Sequence, residues 1–201
     1  MGRKALNRER KELTKKAKKW VKGLIPLLQD KDIENLTLDE LVALMGKSKS
    51  TIYSYFSTKE EIYQTSIILY LEDMSFLVSP EAIEGEDMEK VFRSMLFKIS
   101  EGLEGISIQF LEQIQKYFPE SWGIVENFIN SLLANFEKVY QKGMAQGTFR
   151  KFNLPLLLAL DRHFVMSMIT DSSQVEEHQM SLKGLVNEYL NLRMSALKYE
   201  I

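Results

Sequence analysis

Residues 37–63 read TLDELVALMGKSKSTIYSYFSTKEEIY, and several local signals fall within this one stretch. Thr37-Leu38-Asp39-Glu40 has the capping-box form, in which the threonine hydroxyl and the glutamate carboxylate each satisfy an N–H left unbonded at a helix start. Leu38, Leu41, Val42 and Met45 recur at i, i+3, i+4 and i+7, a helix of about two turns. Gly46 stands where the chain must turn sharply and can take a positive φ at little cost. A second short helix is expected over 48–56. Ser57-Thr58-Lys59-Glu60-Glu61 offers two overlapping capping boxes, so a third helix begins at once and runs through Ile62, Ile67 and Leu71. A short helix, a Gly turn, a short polar helix and a long capped helix make a helix-turn-helix signature.

The middle helix has little to bury. Only Ile52 and Phe56, four residues apart, belong in a core. Ser50 and Ser54 lie opposite them on a helical wheel, with Lys49, Thr51 and Tyr53 on the flanks. Such a helix is either a solvated connector or one whose outer face meets a partner rich in acceptors. Small hydroxyls let a helix backbone approach closely, and a DNA major groove about 12 Å wide accepts it. Ser, Thr and Lys can then bond base edges or phosphates, and tyrosine hydroxyls reach phosphate oxygens. Lys59, at the start of the next helix, adds charge to a natural anion site.

Residues 37–63 resemble the DNA-binding motif of the TetR/AcrR family of bacterial transcriptional regulators. That motif runs helix, Gly, Ser, two variable residues, Thr-Leu/Ile-Tyr, one variable residue, His/Tyr-Phe, then Lys-Glu-Glu. This chain supplies Gly46, Ser48, Thr51, Ile52, Tyr53, Tyr55, Phe56, Lys59, Glu60 and Glu61. The segment GMAQGTFRKFN at 143–153 also suits the family. The resemblance implies that Lys49, Ser50 and Thr51 face bases while Tyr53, Tyr55 and Lys59 hold phosphates, with Lys47, Ser48 and Ser54 completing the DNA-binding set. Three features depart from the family pattern. Lys47 stands where an apolar residue, most often Val, is usual. Asp39 occupies a position from which some members reach DNA with a basic side chain, and a carboxylate there would repel phosphate. Pro26 and QDKDIEN at 29–35 replace the usual short Gly-containing link after the first helix.

The remaining composition fits this reading. The chain has 201 residues, 45% hydrophobic and 27% charged, the balance of a soluble globular protein with a substantial core. It has no cysteine, which excludes a disulfide framework and thiolate metal sites. Residues 1–22 carry ten Lys/Arg against Glu9 and Glu12, so the net charge of −2 divides into +8 there and −10 beyond. A basic end on an acidic body places any polyanion contact at the N-terminal part. Apolar residues at 13, 17, 20, 21, 24 and 28 alternate with Lys15, Lys16, Lys18, Lys19 and Lys22 as an amphipathic first helix, preceded by a loose arm at 1–5 and ended near Pro26. The apolar stretch 20–28 is broken by Lys22 and Pro26 and lacks a small-residue cleavage site, so no signal peptide is expected. No run reaches the roughly 18–20 apolar residues of a membrane span. The expected compartment is the cytoplasm.

Beyond residue 80 the period stays helical, with helices expected near 87–104, 107–117, 121–146, 154–170 and 180–199. The expected fold is all-α: a three-helix helix-turn-helix DNA-binding domain over 1–58, joined to a helical ligand-binding and dimerisation domain over 59–201. The family resemblance implies a buried ligand pocket in the second domain. Flexible Met and flat aromatics would line an apolar cavity, and the candidates are Phe92, Met95, Phe110, Phe118, Trp122, Phe128, Phe164 and Met168. At helical spacing the same residues also serve simply as core. In the last helix Met180, Leu182, Leu185, Val186, Tyr189, Leu190, Leu192, Met194 and Leu197 cover more than one face, which makes the last two helices the expected homodimer interface. A two-fold dimer would set two recognition helices about 34–36 Å apart on a palindromic operator.

No enzyme is expected. The two histidines, His163 and His178, sit in neither a Glu-x-x-His nor a His-Glu-x-x-His arrangement, and no phosphate loop or nucleophile elbow occurs. Neither a cofactor nor a metal is expected. The resulting expectation is a repressor that a small, largely apolar effector releases from double-stranded operator DNA. The alternative is a basic amphipathic helical protein that binds anionic membrane or a protein partner. That alternative accounts for the basic residues 3–22 but not for the capped Gly-turn unit.

Overall fold

The computed structural model describes residues 10–171, 173, 177 and 179–198. These form nine α-helices and no strand: α1 Lys15–Lys22, α2 Leu38–Leu44, α3 Lys49–Tyr53, α4 Lys59–Glu72, α5 Met88–Gly102, α6 Ile108–Tyr117, α7 Pro119–Gln146, α8 Leu154–Thr170 and α9 Leu182–Leu197. The all-α expectation holds. The arm at 1–5, His178 and residue 199 of the last expected helix lie outside the described residues.

The helix starts follow their capping chemistry. Thr37 accepts the Glu40 N–H at 3.2 Å while the Glu40 carboxylate accepts the Thr37 N–H at 2.7 Å, a complete capping box. The two overlapping boxes before α4 resolve into one cap. Thr58 accepts the Glu61 N–H at 3.1 Å, and Glu61 reaches past it to the Ser57 N–H at 2.6 Å. Helix α3 is shorter than expected and ends at Tyr53. The Phe56 N–H still bonds the Ile52 carbonyl at 2.9 Å, which keeps Phe56 beneath the turn. Gly46 takes φ 60° between α2 and α3, the left-handed conformation that favours glycine.

Pro26 ends the first helix as expected, inside a single 3-10 turn at Ile25–Leu27. The following polar stretch is more than a connection, because Leu28 and Ile33 are fully buried. Two further 3-10 turns, Ser75–Val78 and Pro80–Ile83, were not foreseen. Buried Asn135 of α7 holds them by donating to the Leu77 and Ser79 carbonyls, each at 3.0 Å, a partner more than 50 residues away.

Helix α4 packs on α1 at one side and α7 at the other, which is why Ile62, Tyr63, Ile67 and Leu69 are all buried. The long α7 also packs on α5, α6 and α8, and α9 closes the bundle against α5 and α8. Helix α7 starts two residues before the expected position because Pro119, lacking an N–H, fits the first helical turn. It ends in the GMAQGTF segment, where a Cβ on Gly143 would overlap the Phe149 ring. The Phe149 N–H returns to the Gly143 carbonyl at 3.0 Å.

Candidate nucleic-acid interface and interior cavity

Helix α3 is fastened from below. Ile52 and Phe56 are buried, and Trp20 of α1 meets the Tyr55 ring at 6.0 Å and the Phe56 ring at 6.5 Å, both edge-on. Ser48, Lys49, Ser50 and Tyr53 face solvent, whereas Lys47, Thr51, Ser54, Tyr55 and Lys59 are partly buried. The Ser48 hydroxyl caps the helix and lies 3.0 Å from that of Ser50 and 2.8 Å from that of Thr51, a cluster of small donors on one edge. Ser54 turns inward and donates to the Thr51 carbonyl at 2.7 Å.

The two lysines flanking this surface are both engaged. Lys49 Nζ pairs with Asp39 Oδ2 of α2 at 2.6 Å. The hydrogen bond and charge of Asp39 push the Lys49 ammonium above its usual range. Lys59 Nζ donates to the Glu34 carbonyl and, at 3.3 Å, to that of Leu36, and it lies 5.5 Å from the centre of the Phe118 ring.

The basic charge of α1 and of the segment leading into it is partly neutralised from within. Arg10 pairs with Glu61 at 2.7 Å, Lys18 with Glu72 at 3.6 Å, and Lys22 with Asp73. Burial works against the charge of Glu61, but the Ser57 N–H and the Arg10 guanidinium outweigh it and hold the carboxyl below its usual range. Lys15, Lys16 and Lys19 are exposed and have no ion-pair partner among the described residues. The Lys11 N–H donates to the Ser54 carbonyl at 3.1 Å, which carries the basic lead-in to α1 up to the end of α3.

Between α4, α5, α6, α7, α8 and α9 lies a cavity of about 140 Å³ with a wholly apolar wall. Of the residues anticipated from sequence, Phe110, Phe128 and Phe164 line it. Phe92, Met95, Phe118, Trp122 and Met168 do not; they are packed in the core. Phe92 meets Phe136, Tyr140 and Phe149, and Phe118 meets Tyr63 at 4.8 Å. Ile67, Tyr70 and Leu71 of α4, Met74 just beyond its end and Tyr189 of α9 also line the wall. Sequence reasoning missed these, although the i, i+3, i+4, i+7 stripe from Ile67 to Met74 was visible. The two tyrosines add no polarity to the cavity because both hydroxyls are taken up by hydrogen bonds. Tyr70 donates to the Gly102 carbonyl at 2.6 Å, and Tyr189 donates to Asp161.

Asp161 of α8 is 2% exposed. Its carboxylate receives Tyr140 at 2.9 Å, Tyr189, and the Arg193 guanidinium at 2.5 Å. Burial, reinforced by the neighbouring carboxylate, drives both tyrosine hydroxyls far above their usual range. Tyr189 also stacks on Phe164 at 3.7 Å, so this polar cluster stands directly behind the cavity wall. His163 is exposed on α8, near Arg193. Leu156 and Leu160 of α8 and Leu192 of α9 are large apolar side chains left open to solvent.

No group of three or more metal-ligating side chains occurs among the described residues, and no helix there is long and apolar enough to cross a membrane. Residues 24–65 match the sequence model described as "Bacterial regulatory proteins, tetR family". The chain is 26% identical over 152 residues to YvaF of Bacillus subtilis, an uncharacterized HTH-type transcriptional regulator, covering 74% of this chain and 75% of that one. It is 21% identical over 179 residues to IcaR of Staphylococcus aureus, the negative transcriptional regulator of the biofilm operon icaADBC, covering 87% and 96%. Its fold resembles the crystal structure of the transcriptional regulator FadR from Bacillus subtilis in complex with stearoyl-CoA. The TM-score is 0.63 at 16% identity, covering 89% of this chain and 98% of that one.

Proposed function

The chain belongs to the TetR family of DNA-binding transcriptional regulators, a family of regulators rather than enzymes, and on that premise we propose that it is a homodimeric cytoplasmic repressor released from a palindromic operator by a small apolar molecule. The observation that carries the DNA assignment is the exposed face of α3, rich in small donors on a helix pinned by Ile52 and Phe56. Lys49, Ser50 and Thr51 face the base edges, with Lys47, Ser48 and Ser54 bordering them. Tyr53 and Tyr55 reach phosphates together with the unpaired lysines of α1. Lys59 joins them with its third N–H, since an ammonium has three donors and the carbonyls of Glu34 and Leu36 take two.

The DNA-binding unit comprises residues 1–58, and the regulatory unit 59–201. Helix α4 serves both, because it starts beside α3 and gives one wall to the cavity. A molecule filling the cavity presses on Ile67, Leu71 and Met74 and shifts the population toward a spacing of α3 that misfits the operator. The apolar wall selects a hydrocarbon or aromatic effector, and the acyl chain of the ligand named for FadR is chemistry of that kind. The open Leu156, Leu160 and Leu192 support a partner copy seated on α8 and α9. Repression accords with the negative regulation named for IcaR.

The test is fluorescence anisotropy of labelled duplex DNA across a salt series. Log K falls with log[salt] at about −0.9 per phosphate contact. Binding to anionic vesicles with no binding to duplex DNA would overturn the assignment in favour of a membrane role.

A further inference from the structure

Asp39 and Lys49 form an ion pair that the fold does not need. Helix α2 is already capped by Thr37 and Glu40, and α3 by Ser48. The two side chains are 55% and 63% exposed, and a solvated pair of this kind adds little stability. Yet it sits on the outer surface, joining the first turn of α2 to the first residue of α3. A lone carboxylate there would be driven off by phosphate, but a neutral pair can enter a groove.

The pair has a chemical complement. It sets an anionic acceptor beside a cationic donor at 2.6 Å, about the spacing of one hydrogen bond. The major-groove edge of a G·C pair sets the cytosine N4–H donor beside the guanine O6 acceptor, themselves joined by a hydrogen bond, with the N7 acceptor next along. An A·T pair alternates acceptor, donor, acceptor, and offers an ammonium no two adjacent acceptors. We propose that Asp39 and Lys49 together read one G·C base pair in each half-site, Asp39 accepting from cytosine N4–H and Lys49 donating to guanine O6 and N7. This rests on α3 being the recognition helix.

The experiment is selection of binding sites from a duplex library of random sequence by the full-length protein and by D39A and K49A. Sites retained by the unaltered protein carry a G·C pair at one fixed position per half-site. Changing it to A·T weakens binding about 5- to 150-fold. Both variants relax that same position and no other, and because both side chains are exposed their thermal unfolding is unchanged. The proposal is overturned if D39A strengthens binding to every duplex alike with preferences intact, which would make Asp39 only a repulsive charge. It is also overturned if the two variants relax different positions. If the unaltered protein retains no duplex, DNA reading by α3 fails as well, and that outcome is visible before any variant is made.

Discussion

Replacing Asp161 by Asn keeps the shape of the side chain and removes its charge, leaving the Arg193 guanidinium without a counter-ion. Arg193 is 13% exposed at its side chain, and its Nε–H already has no hydrogen-bond partner. Breaking one half of such a buried pair costs about 3–5 kcal/mol, because the surviving charge is left uncompensated. For a chain of this size each kcal/mol moves the unfolding midpoint by about 2–4 °C, so Asp161→Asn lowers Tm by roughly 6–20 °C. The partner change tests the cause. Asp161→Asn with Arg193→Met removes both charges, and it restores most of the loss because no buried charge is then left uncompensated. Calorimetry at one fixed protein concentration is the assay, since any self-association makes the midpoint concentration-dependent. A shift of less than about 2 °C for the single change, or a double variant no more stable than the single one, would refute the claim that a buried unpaired charge sets the cost.

Val165→Phe places a ring in the cavity; binding of the probe N-phenyl-1-naphthylamine, followed by its fluorescence, falls more than about tenfold. Lys19→Gln flattens the salt dependence of duplex binding by about 0.9 in log–log slope, whereas Lys22→Gln, already paired with Asp73, changes it by less than half as much. The lowered pKa of Glu61 contributes stability that is complete above the ordinary carboxylate value of 4.5 and is lost as pH falls through the depressed folded value. Urea unfolding of Glu61→Gln therefore shows a smaller loss of stability on acidification than the unaltered protein. Gly143→Ala drives a methyl into the Phe149 ring, which is fully buried and has no room to retreat. Its unfolding midpoint drops by the equivalent of about 1–3 kcal/mol.

Local chemistry made the helix-turn-helix unit legible. The caps at Thr37, Ser48 and Thr58 act over three or four residues, Gly46 answers to its own φ, and Ile52 with Phe56 needs only helical periodicity to mark a buried side. The cavity was harder for the same reason. Periodicity says that Phe92 and Phe110 both face inward, but not that Phe92 meets Phe136 and Phe149 while Phe110 meets empty space. That depends on how six helices are set against one another.

The amino-acid sequence by itself determined the all-α class, the turn between α2 and α3, and the buried side of α3 at Ile52 and Phe56. These follow from hydrogen bonds and spacings within a turn or two. Only the tertiary structure decided that Lys59 is held by the Glu34 and Leu36 carbonyls, that Lys49 lies against Asp39, and that Tyr189 joins the cavity wall to a buried carboxylate. Each links residues from separate elements, and the distance between such partners is set by the packing of whole helices rather than by any local preference of the chain.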